Sequence, residues 1–150
     1  MLLAAHSLVG ASIGEVSPNP VLSFLLALVS HFILDAIPHY DTTDEGQITL
    51  RQITLVIVDG IVGFILLVVI LINYSDNRAG LVLGVVGGIL PDFFSTIPGI
   101  RGITEKVKPG RIFQDFHQNI QSKSLPPLVG LLVQMALASL CLYLFIRNVV

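Results

Sequence analysis

Long apolar stretches constrain this chain more than any other feature. A helix needs roughly 17–25 predominantly apolar residues to cross the hydrocarbon core of a bilayer. Residues 20–37, 53–73 and 126–146 have that character. A fourth stretch, 79–97, is Gly-rich and interrupted by Pro91, and a fifth, 2–14, is short enough to sit tilted or partly in the interface. Composition agrees. Of the 150 residues, 53% are hydrophobic and 12% charged, about half the charged fraction of a soluble domain, and the mean hydropathy is +0.85. The expected fold class is an all-α integral membrane protein with about five transmembrane helices. It forms one domain, 1–150: a hairpin over 1–37, a second over 53–97, an interfacial loop and helix over 98–125, and a last helix over 126–147. The N-terminus, "MLLAAHSLVGASIG", has no basic region and carries His6, so it reads as a first helix rather than a cleavable signal.

The segment between the fourth and last apolar stretches has a different pattern. Pro109-Gly110 breaks it, and beyond the break Ile112, Phe113, Phe116 and Ile120 share one side of a short helix. Such a helix is expected to lie in the membrane surface. Basic residues set orientation. With five crossings, Arg51, Arg101, Lys106, Lys108, Arg111 and Lys123 share the side of the N-terminus, and Arg78 and Arg147 lie opposite. The N-terminal side is therefore expected to be cytoplasmic and the C-terminus outside. A net charge of −2 gives no case for nucleic acid as a partner. The lone Cys141 excludes an internal disulfide.

Ionisable residues recur inside the oil. "HSLVG" begins at His6 and "DGIVG" at Asp59; "ILDAIP" contains Asp35 and "ILPDFFSTIP" contains Asp92. The shared order suggests two tandem hairpins related by an internal repeat. Gly10 and Gly14, and Gly80, Gly84 and Gly88, recur at intervals of four, a spacing that lets helix backbones approach closely. In an alternating topology His6, Asp35, Asp59 and Asp92 meet at one membrane face. His31 stands one turn before Asp35 on the same helix side, and His39 and Asp41 follow Pro38, which ends that helix. His117 reads as a surface residue of the loop on that side.

Each Asp near a helix centre costs on the order of 2.5–3.5 kcal/mol. The first four helices contain no Lys or Arg in their interiors to offset it. Gathered carboxylates repel or take up protons, whereas a divalent cation resolves the conflict, and imidazole with carboxylate suits zinc, manganese or iron. His31 and Asp35 therefore read as metal ligands. The plainer readings are a protonated carboxyl on a backbone carbonyl or a helix end reaching water for Asp35 and Asp92, an interfacial histidine for His6, and ordinary turn residues for His39 and Asp41. For Asp59 the plain reading is a carboxyl tying its helix to a neighbour.

His6, then His31-x-x-x-Asp35-x-x-Pro38-His39, then Gly88-Ile89-Leu90-Pro91-Asp92, resembles the YdjM-like family of membrane-bound, metal-dependent hydrolases, some of them LexA-regulated bacterial inner-membrane proteins. The resemblance covers residues 4–95. It implies His6, His31, Asp35, His39 and Asp92 as the metal set and the bacterial plasma membrane as the location; zinc or manganese is the expected ion. Two departures stand out. Phe93 and Phe94 follow the Pro-Asp where the family often has a second acid. The family's Arg-Gly-x-x-His-Ser segment has only partial counterparts in "RGIT" at 101–104 and "HQNIQS" at 117–122. The expected function is hydrolysis at the cytoplasmic interface of a lipid or lipid-linked phosphoester. Asp59 would be a general base or a ligand of a second ion, with Arg101, Lys106, Lys108 and Arg111 engaging phosphate. The rival is non-enzymatic: a metal-ion or proton transporter, or a metal-stabilised scaffold. A transporter needs polar residues continuing to the far side of the membrane, and few do.

Overall fold

The computed structural model describes residues 2–40, 50–73, 75–121 and 124–149. Asp41 and Lys123 lie outside the described residues, as does the Arg51 side chain. The described chain is helical: α1 (Leu3–Val16), α2 (Pro20–Asp35), α3 (Leu50–Asn73), α4 (Arg78–Thr96), α5 (Pro98–Thr104), α6 (Lys108–Ile120) and α7 (Pro127–Val149). Three segments are long and apolar enough to cross a membrane: Ile53–Asn73, Arg78–Thr96 and Pro127–Arg147. The first two helices are apolar but have 14 and 16 residues. At about 1.5 Å per residue they reach roughly 21 and 24 Å, short of the about 30 Å hydrocarbon core. Length therefore qualifies three helices rather than five.

Local sequence explains the helix limits. Asn19 caps α2 by accepting from the Leu22 N–H at 2.9 Å, and Pro20 occupies the first turn, where its missing N–H costs nothing. The same helix ends at Asp35, two residues short of the expected end, because Pro38 disfavours helical geometry at the residue before it. Asn77 caps α4 through Gly80 N–H at 3.1 Å. This helix runs through Pro91 without interruption, as membrane-type helices tolerate when neighbours satisfy the freed backbone groups. Pro109 starts α6 rather than breaking it, and the short α5 precedes it.

Packing centres on α4, which lies along both α1 and α2, while α3 and α7 rest against α1. The glycine spacing makes this possible. A Cβ at Gly10 or Gly14 would collide with the backbone of Gly84 or Gly80, so α1 and α4 touch backbone to backbone. Leu8, Ala11, Ile70, Leu81 and Phe145 form the apolar cluster beside that seam. The two hairpins are not equivalent in packing: α1 and α2 pack against each other, whereas α3 packs chiefly on α1.

Burial is inverted relative to a water-soluble protein. Among the described residues ten polar or ionisable side chains are buried against eight apolar ones, while Phe64 is 68% exposed and Ile72 65%. An apolar exterior around a polar interior is what a lipid solvent selects. The same inversion governs α6. Its expected apolar face carries Ile112 and Phe116, 58% and 51% exposed, and its polar stripe of Gln114 and His117 is buried against the bundle.

Candidate metal centre

Three helices deliver the centre to one end of the bundle. On α2, His31 and Asp35 sit one turn apart, with Nε2 of His31 at 3.0 Å from Oδ2 of Asp35. His6 on α1 places Nε2 at 3.1 Å from Asp35 Oδ1 and 3.8 Å from Asp92 Oδ2. Asp92 on α4 lies just past Pro91, its Oδ1 3.8 Å from His31 Nε2. A fourth element completes the group: His117 on α6 brings Nε2 to 3.1 Å from Asp35 Oδ2, 3.6 Å from Asp92 Oδ1 and 3.0 Å from His31 Nε2. One donor atom from each of His31, Asp35, Asp92 and His117 lies within 4.8 Å of every other. Gln121 donates to Asp35 Oδ2 at 3.0 Å.

The donor chemistry fits a divalent cation. A carbonyl oxygen only accepts, so His31 Nδ1–H donates to Gly88 O at 2.7 Å, which leaves the Nε2 lone pair facing the carboxylates in the neutral ring. A backbone carbonyl behind an imidazole is the usual device that orients a metal-ligating histidine. His31 also stacks between His6 and His117, with ring centroids 4.1 and 5.3 Å away. The side chains of His6, His31 and Asp35 are fully buried and that of His117 is 2% exposed, whereas Asp92 is 15% exposed. The centre is approachable on the Asp92 side.

The sequence-derived set and the structural set overlap without coinciding. His6, His31, Asp35 and Asp92 converge as expected. His117, expected on the surface, is buried in the centre. Its signal was a polar stripe, Gln114, His117 and Gln121, on a helix of an otherwise apolar chain. Gln114 donates to Phe94 O at 3.0 Å and to Thr104 Oγ1 at 3.1 Å, which docks α6 on the bundle. His39 is buried, but its Nδ1–H donates to Ile37 O at 2.7 Å and its own carbonyl accepts from Leu125 N–H at 2.8 Å. These bonds fix the turn after α2. Arg101 pairs with Glu105 at 2.7 Å, while Lys106, Lys108 and Arg111 are exposed.

Asp59, expected as a base or second-ion ligand, is held at the start of α1. Its carboxylate accepts from Ala4 N–H at 3.3 Å. Gln134 Oε1 accepts from Leu2 N–H at 2.6 Å beside it. Together they satisfy orphan donors of the first helical turn, and the negative charge complements the helix dipole. Asp59→Asn is therefore expected to lower stability by about 1 kcal/mol and to leave metal content at the wild-type value. Denaturant melts with parallel elemental analysis check this. Lost metal at unchanged stability would return Asp59 to the ion.

No family model matches the chain, and neither the curated proteins nor the solved structures contain a significant match.

Proposed function

We propose that this chain is a membrane-embedded, metal-dependent hydrolase that acts at the cytoplasmic boundary on a phosphoester of a lipid or lipid-linked substrate. The observation that carries this reading is the buried convergence of imidazole and carboxylate donors with Asp92 left approachable. His31, Asp35, Asp92 and His117 would hold the ion, with zinc and manganese both suited to the donor set. A bound divalent ion would lower the pKa of its water toward neutrality and polarise the scissile group. Gly88 O orients His31, and Gln121 orients Asp35. Lys106, Lys108 and Arg111 are exposed at and just before the start of α6, the helix that carries His117, and would offer positive charge to a phosphate. By the distribution of basic residues, the side that carries them would be the cytoplasmic one. The outward Ile112 and Phe116 extend the apolar surface of the bundle to this end, where acyl chains of a lipid substrate would run. The resemblance of the motif pattern to YdjM-like proteins would imply the same chemistry and a bacterial inner membrane.

Two features weigh against transport. The α1–α4 seam is closed by glycine backbones and by Leu8 and Leu81. At the far end, Glu15 accepts from Ser75 Oγ–H at 2.7 Å and from Asp76 N–H at 2.9 Å, a local bracing of the α3–α4 turn. The test is hydrolysis by purified protein in nanodiscs, with Mn²⁺ or Zn²⁺, across lipid phosphomonoesters, phosphodiesters and polyprenyl pyrophosphates. Turnover that a chelator abolishes and Asp92→Asn reduces by about 100-fold, roughly 3 kcal/mol of transition-state stabilisation, is the expected result. Bound metal with no turnover on any member would leave a metal-stabilised scaffold instead.

A further inference from the structure

The two carboxylates divide their oxygens in the same way. Asp35 turns Oδ1 to His6 and Oδ2 to His31 and His117, at 3.1, 3.0 and 3.1 Å. Asp92 turns Oδ2 to His6 and Oδ1 to the same pair, at 3.8, 3.8 and 3.6 Å. His6 is thus not a fifth donor around one point. It faces a second point, on the other oxygen of each carboxylate. The His6 and His31 rings lie side by side, 4.1 Å between centroids and 23° from parallel. The stacking sets the two rings side by side along the carboxylates, so each Nε2 reaches a different oxygen of Asp35 and of Asp92.

We infer that the centre binds two divalent cations bridged by Asp35 and Asp92, one held by His31 and His117 and the other by His6. This rests on the metal-dependent reading above and adds the number of ions and the partition of the ligands. The donor sets are unequal. The first ion has two imidazoles and two carboxylate oxygens. The second has one imidazole and two carboxylate oxygens, which leaves it more open positions for water or a phosphate oxygen. The outer contacts are unequal as well. His31 Nδ1 is fixed by Gly88 O, whereas His6 Nδ1 is buried with no hydrogen-bond partner among the described residues. An outer-shell partner is worth about 10–100-fold in metal affinity, so the His6 ion is the weaker by at least that factor.

The test is stoichiometry, with no substrate present. Purified full-length protein is stripped, titrated with Mn²⁺ by calorimetry, and examined by low-temperature electron paramagnetic resonance. Wild type is expected to bind two ions per chain in two steps separated by 10-fold or more, and to show the exchange-coupled signal of a close Mn²⁺ pair. His6→Gln, which keeps a polar side chain of similar size, is expected to bind one ion tightly and to lose the coupled signal. Circular dichroism and gel filtration confirm that the variant is folded, and His6→Asn serves as a second variant if it is not. One ion in wild type, unchanged in a folded His6 variant, overturns the two-ion centre and leaves the single-ion hydrolase standing. No ion in wild type overturns both.

Discussion

Asp35→Ala is expected to remove bound metal altogether and to lower any hydrolytic activity by on the order of 1000-fold, about 4 kcal/mol. The carboxylate is where the site converges: Nε2 of His6, His31 and His117 and the Gln121 amide all approach its two oxygens at 3.0–3.1 Å. Removing it takes away the carboxylate that all three imidazoles share and leaves the Gln121 amide without its acceptor, which costs about 1–3 kcal/mol. Stability and metal should therefore fall together in Asp35→Ala. Asp35→Asn separates the two effects, because the amide keeps the shape and one acceptor oxygen but loses the charge a cation needs. That variant should stay folded and still be empty by elemental analysis. Full metal occupancy in a folded Asp35→Asn protein would mean that the Asp35 charge is not what holds the ion; no metal in wild type either would mean that the imidazoles and carboxylates form a proton-sharing network.

Gly84→Leu is expected to prevent the native fold from forming. At this position α4 runs against Gly10 of α1, and even a Cβ would meet the Gly10 carbonyl. The neighbour is backbone, so no side chain can move aside to relieve the collision. Overpacking a well-packed core costs about 1–3 kcal/mol where side chains can shift, and here two helices must separate. Since α4 also packs along α2, the separation would pull Asp92 and Gly88 away from His6 and His31. A molecule that still reaches the membrane should be prone to aggregation in detergent and bind no metal. Gly99→Leu is the control, because nothing lies near its Cβ position; it should purify like wild type. A Gly84→Leu protein with wild-type melting and metal content would show that the α1–α4 seam can open without loss.

Much of the fold was legible because membrane-type helices carry their signal locally. Apolar runs, the stop before Pro38 and the four-residue glycine spacing each follow from residues within a few turns of one another. Where the reading diverged, the deciding groups were distant in sequence. Pro91 suggested a break, but whether a proline interrupts a helix depends on which neighbours satisfy the loosened turn. The tandem hairpins suggested equivalent packing, but α3 packs chiefly on α1. For α6 the periodicity was read correctly and the consequence was not. With the exterior apolar, the polar stripe is the one that turns inward, and it carries His117 into the centre.

The same division separates the parts of the candidate site. His31 and Asp35 on one helix side, and the gathering of His6 and Asp92 at one end of the bundle, follow from helical periodicity and alternating direction, which depend on sequence alone. So does the argument that several buried ionisable groups without basic partners need a common solution, since the cost of desolvation is a property of the residue types. Tertiary structure alone decided that Asp59 sits on the start of α1 and that His117, 82 residues from Asp35, completes the group. It alone also decided that each carboxylate shows one oxygen to His6 and the other to the His31–His117 pair. The physical reason is that hydrogen bonding and ligation act over about 3 Å, while sequence periodicity fixes only which side of a helix a residue occupies. Which sides face each other, and at what height, is set by the close approach of α1, α2 and α4 and by the docking of α6.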